Sequence, residues 1–227
     1  MVNYLASITA PAQGTRLLAV DPSLTQSGWV LFSARTAAPL ISGVITPPGP
    51  SRPLAERLAI LQRSIEVIYQ KLQLGSADFL IAEGPAPLVL NPGSALKVEQ
   101  VRSIFESVAR SRGVIVPGRI NPRTVQSELL GLRGKQLARK EVKLQARVVA
   151  ERLYSNRLPQ LDDELEDRSI SVRDLPQDIV DALLIGAVAV SKLQLAERLG
   201  TNVTDLLSSS RSNSAGSRSS ASWRRAR

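Results

Sequence analysis

The chain has 227 residues, 43% of them hydrophobic, with a formal net charge of +9 and mean hydropathy of −0.01. It contains no cysteine and no histidine, which excludes disulfides, thiolate or imidazole metal sites, cysteine nucleophiles and Ser-His-Asp catalysis. Any metal must sit on oxygen ligands, which favours magnesium or manganese, and any proton transfer must use carboxylates, lysine, tyrosine or metal-bound water.

The length suits one compact domain plus a tail. There is no unbroken run of about 18 apolar residues, and residues 1–12 lack the basic start of a signal peptide, so the expected location is the cytoplasm and no membrane partner is expected. A basic chain suits a polyanion such as nucleic acid. However, Arg211, Arg218, Arg224, Arg225 and Arg227 lie in the acid-free stretch 208–227, so +5 of the +9 is there and +4 remains for the body.

In chain order, Arg16–Asp21 (RLLAVD) reads as a buried strand ending on an acid, followed by strands at Ser27–Ser33 and Leu40–Thr46. Pro47–Pro53 is a loop. From Leu54, apolar residues at 54, 58, 61, 65, 68 and 72 make one helical stripe. Ala77–Ala82 is a short strand that again leads to an acid, Glu83. After a Pro/Gly-rich loop come a helix from Ser94 to about Arg112 and a strand at Val114–Pro117. Pro122 suits the first turn of a short helix. Further helices are expected at Lys135–Tyr154 and from about Pro176 to just before Gly200, separated by the acidic loop 162–167. Short links between the first three strands indicate an antiparallel meander, and the later alternation of helix and strand indicates parallel crossovers. The expected fold is α/β: a five-stranded mixed sheet flanked by helices. The expected domain runs from 16 to 200, with an N-terminal extension at 1–15 and a disordered Ser/Arg-rich tail at 201–227.

Sites in open α/β sheets form at the carboxyl ends of strands. Asp21 and Glu83 both stand at such ends, while Asp178 and Asp181 share a face at the start of the last helix. Singly, each acid has an ordinary structural explanation as a turn former or cap. Together they would repel one another unless cations neutralise them. Two magnesium ions about 4 Å apart would do so and would suit phosphodiester hydrolysis. Lys135, Arg139, Lys143 and Arg147 recur every four residues, as a phosphate-tracking stripe or an ordinary solvated face. Trp223, among the tail arginines, offers a ring for base stacking.

Five blocks carry a family resemblance: LLAVDPSLTQSGWVLF, DFLIAEGPAP, NPGSALKVEQVRSIFESVARSRGVIV, NPRTVQSELLG and DIVDALLIGAVA. In this order, over about residues 16–154 and 176–191, they resemble the RuvC family of Holliday-junction resolvases, which have the RNase H-like fold. The Asn-x-x-Ser-Ala-Leu-Lys run followed by Gln100 and Arg102 is the most specific. The resemblance implies an endonuclease of DNA recombination and repair that resolves four-way junctions by paired symmetric nicks. Asp21, Glu83, Asp178 and Asp181 would hold two magnesium ions, for which manganese can substitute. It also implies a homodimer, for which Leu96 and Phe105 are interface or core residues, and makes a RuvB-like branch-migration motor a candidate partner. DNA-contacting candidates are Lys97, Arg102, Arg123, Lys135, Arg139, Lys140 and Lys143. The chain departs from the family at Ala86, where a base-stacking aromatic is usual, and at Gln126, where a lysine is usual. Two other readings remain open: an RNase H-like nuclease on other branched DNA or RNA, and an inert junction-binding protein.

Overall fold

The structure is a computed structural model that describes residues 14–85, 92–132, 137–154, 158–159 and 169–208. Its sheet has five strands in the order β3-β2-β1-β4-β5. These are β1 (Arg16–Asp21), β2 (Ser27–Ser33), β3 (Pro39–Ile45), β4 (Phe79–Glu83) and β5 (Ile115–Ile120). β2 runs antiparallel to both β1 and β3, and β1, β4 and β5 are mutually parallel. This is the expected RNase H-like arrangement.

The helices are α1 (Leu54–Lys71), α2 (Pro92–Ser111), α3 (Pro122–Glu128), α4 (Arg139–Leu153), α5 (Gln177–Leu199) and α6 (Val203–Ser208). Helices cover both faces of β1, so Leu17, Leu18, Ala19 and Val20 are all fully buried. That burial explains its continuous apolar run, where a half-exposed strand would alternate. Alternate side chains serve opposite cores. Leu17, Ala19, Val30 and Phe32 pack with α5, while Leu18, Val20 and Leu31 pack with α1 and α2. By length and composition α5 could cross a membrane. Its apolar residues, among them Ile179, Val180, Leu183 and Val188, are buried in the core on the α5 side of the sheet, and that packing accounts for the composition.

Several expected boundaries move. β5 runs past Pro117 to Ile120, with a register shift against β4 that accommodates Pro117 and Gly118; an edge strand tolerates such a break. α4 begins at Arg139, because Ala138 is extended with ψ 142°. Lys135, the acidic loop 162–167, Ala86, residues 1–13 and the tail from 209 onward lie outside the described residues. A short hairpin, β6 (Leu158–Pro159) with β7 (Ser169–Ile170), had no sequence signal. Gly200 ends α5 in the left-handed region at φ 61°, as expected of a C-terminal glycine. The chain then turns back into α6, whose Leu207 is 6% exposed and packs against Gly118 of β5. The packed domain therefore extends to 208, beyond the expected boundary at 200. Of the two candidate interface residues on α2, Phe105 is core at 1% exposed and Leu96 is 63% exposed.

Candidate active site

Asp21 is the last residue of β1 and Glu83 the last of β4. The two strands are parallel neighbours with Val20 opposite Ala82, so both carboxylates leave the sheet at the same edge. Asp178 and Asp181 occupy the first turns of α5, which lies across β1 and β2. Asp21, Glu83 and Asp181 line one cleft. Asp178 is not part of its lining, but its charge reaches both Asp21 and Asp181.

The electrostatics record this convergence. Burial first, then Glu83, Asp181 and Asp178, push Asp21 well above the usual carboxylate range. Burial and then Asp181 push Glu83 up to about 7. Asp181 is raised by burial, an effect opposed by its hydrogen bond from Gln177. Like charges held this close favour protonation unless a cation intervenes.

Residues of α3 and α4 also line the cleft. They include Arg139 and Lys143, both exposed, and Gln126. Lys143 and Arg139 both favour the ionised form of Asp181. The structure therefore puts two of the expected DNA-contacting cations beside the acids. Lys97, Arg123 and Lys140 are exposed on α2, α3 and α4 but do not line the cleft.

Arg102 departs from expectation. It is 2% exposed, so it is not a surface contact for a phosphate. Its Nε donates to the Glu83 main-chain carbonyl at 2.5 Å, and its Nη1 donates to Glu99. Arg147 departs from the solvated stripe in a similar way. It donates to the carbonyls of Arg173 at 2.8 Å and Leu175 at 2.9 Å, and to Gln177 Oε1 at 3.3 Å. Gln177 Nε2 in turn donates to Asp181 Oδ1 at 2.8 Å. Gln177 was not singled out from the sequence, although its i,i+4 spacing to an acid on a helix was a readable sign.

The donor set suits a hard divalent cation, because every candidate ligand is a carboxylate oxygen. Among the described residues no group of three acids forms a ready-made cage for one ion. Magnesium does not require one, since it is commonly held by one or two carboxylates, waters and substrate phosphates.

No family model matches the chain, and no curated protein matches it. Solved structures do. RuvC of Thermus thermophilus in complex with a Holliday junction substrate matches at 20% identity and TM-score 0.54, over 82% of this chain and 97% of that one. A second Thermus thermophilus RuvC structure matches at 18% identity and TM-score 0.56, with the same coverage. The chain has the RuvC fold. In this chain the carboxyl ends of β1 and β4 and the start of α5 come together at one end of the sheet, and each of those three places carries an acid.

Proposed function

We propose that this chain is a metal-dependent, structure-selective endonuclease that resolves four-way DNA junctions by paired nicks as a homodimer. The observation that carries the reading is the convergence of Asp21, Glu83 and Asp181 in one cleft that Arg139 and Lys143 also line, with the charge of Asp178 reaching Asp21 and Asp181. The likeness to RuvC supports the choice of junction DNA as substrate.

The four acids would hold the magnesium ions, two per site. When bound, such ions lower the pKa of water and offset charge on the attacking and leaving oxygens of a phosphodiester. The chain's own residues do the rest. Asp21 and Glu83 sit on adjacent strand ends, and so form the rigid half of the site. Gln177, steadied by Arg147, fixes the rotamer of Asp181 through its amide. Arg139 and Lys143 offer positive charge to the phosphate backbone entering the cleft. Two opposed nicks need two such clefts, which a homodimer supplies.

The test is a substrate panel in magnesium: a synthetic four-way junction, a flap, a linear duplex and an RNA–DNA hybrid. We expect cutting of the junction and not of the linear duplex. Asp21→Asn should bind the junction and leave it intact. Equal cutting of linear duplex would replace this reading with that of a general RNase H-like nuclease. Junction binding with no metal-dependent cutting of any branched DNA would make the chain an inert binding module.

A further inference from the structure

We infer that Arg102 is a positioning residue of the acidic cleft, a buried guanidinium that pins the end of β4 through the Glu83 carbonyl. The inference rests on the nuclease reading and concerns how that same site is held.

Burying a guanidinium is costly unless it is paired and hydrogen-bonded. Arg102 sits between the core residues Val101 and Phe105 on α2, where an apolar side chain would meet the needs of packing alone. Its bonds go to the site instead. One reaches the carbonyl of Glu83, the last residue of β4. On the other side, the Gly84 amide donates to the Ile120 carbonyl at 2.6 Å. The segment that carries the Glu83 carboxylate is thus held twice, once from β5 and once from α2.

The second bond of Arg102 joins it to a chain of charges. Glu99 also accepts from Arg119 at 2.8 Å. Arg119 reaches Glu106 at 2.6 Å, and Arg110 reaches Glu106 at 3.4 Å. Three arginines against two glutamates leave one positive charge in excess. Arg102 is the member of this chain that bonds the backbone of Glu83, a residue that lines the cleft. A cation-binding site needs its ligands carried on a fixed backbone.

The test compares wild type with Arg102→Met, Arg102→Lys and Glu99→Gln. The Glu99 side chain is 38% exposed, so its amide variant perturbs folding least. Manganese binding to the DNA-free protein is read by calorimetry. Junction cleavage in magnesium is split into kcat and KM, junction binding is measured in calcium, and urea melts establish that each variant is folded. For Arg102→Met we expect a manganese Kd raised and a kcat lowered, each by roughly 10- to 100-fold, with junction Kd within about twofold of wild type. Arg102→Lys restores the charge without the two-pronged donor and should recover part of both losses. Glu99→Gln should move both in the same direction by a smaller factor. If Arg102→Met does not fold, the Lys and Gln variants decide. Folded variants with unchanged manganese Kd and kcat would overturn the inference. So would a weakened junction Kd at unchanged kcat, which would make Arg102 a DNA contact. A wild type that binds manganese but cuts no DNA would sink the nuclease reading alone, since calorimetry would still judge Arg102. A wild type that does neither would sink both.

Discussion

The main-chain carbonyl of Asp178 rests directly on Gly28. A Cβ at position 28 would stand 2.1 Å from the Asp178 oxygen and 2.6 Å from the Ile179 nitrogen. Gly28 is paired with Asp21 across β1 and β2, so the missing side chain lets the start of α5 settle beside the acid at the end of β1. Gly28→Ala must push the helix terminus away. Overpacking of this kind costs about 1–3 kcal/mol, measurable by urea denaturation. Junction cleavage should fall by more than the loss of folded protein explains, because Asp178 and Asp181 move with the helix. A cleavage loss equal to the folded-fraction loss would show that the contact serves only packing.

A second glycine on α5 gives the contrasting case. At Gly186 a Cβ would meet the Phe32 ring at 2.0 Å, about two turns beyond Asp178 and inside the core. Gly186→Ala should also cost about 1–3 kcal/mol, but its specific cleavage rate per folded molecule should hold. Adding Phe32→Leu should return part of the lost stability by making room. A double variant no more stable than Gly186→Ala would show that the clash is relieved elsewhere.

The two glycines mark what can be read from the sequence. Asp21 and Glu83 announce themselves because a buried strand is a continuous apolar run and an acid at its end is conspicuous. α5 is legible from its apolar length and the glycine that ends it. Arg102 was misplaced because a motif tells which residue is present and not which way it points; in the fold it points inward to a carbonyl. Arg147 kept the four-residue spacing of a solvated stripe, while the turn before α5 gave it carbonyls to bind. α6 was lost in a low-complexity tail, since six residues carry too little periodicity to reveal a helix that is held by Leu207 packing on Gly118. The antiparallel meander and the parallel crossovers followed from link lengths, but the order β3-β2-β1-β4-β5 and the register shift in β5 depend on pairing geometry that no local pattern encodes.

Lys143 and Arg147 lie one turn apart on α4 and should behave oppositely. Lys143 is exposed in the cleft wall. Lys143→Ala should weaken junction binding and reduce the salt dependence by about one phosphate contact. Arg147 is spent on the Arg173 and Leu175 carbonyls and on Gln177. Arg147→Ala should leave the salt slope unchanged, cost about 1–3 kcal/mol in stability and lower kcat by loosening the Gln177–Asp181 pair. Fluorescence titration of labelled junction at several salt concentrations separates the two. Equal slopes for wild type and Lys143→Ala would remove Lys143 from the DNA interface.

The crowded acids should also make the metal-free protein less stable as pH rises. Glu83 moves from an ordinary value of 4.5 up to about 7 on folding, through burial first and Asp181 second. Between those values the folded chain keeps a proton that the unfolded chain has released. Stability therefore falls as pH climbs through this window, and the penalty is complete above about 7. Glu99 is lowered, with burial opposing the bonds from Arg119 and Arg102 that win, and its contribution has the opposite slope at lower pH. The comparison of wild type with Glu83→Gln isolates the Glu83 contribution. In chelator, that difference should grow on the order of 1–3 kcal/mol between pH 5 and 8, read from urea midpoints at fixed ionic strength. Magnesium binds the ionised acids and should stabilise wild type most at the high end, with less effect on the Gln variant. A difference that stays flat across this range, with and without magnesium, would mean that Glu83 does not share its surroundings with the other acids.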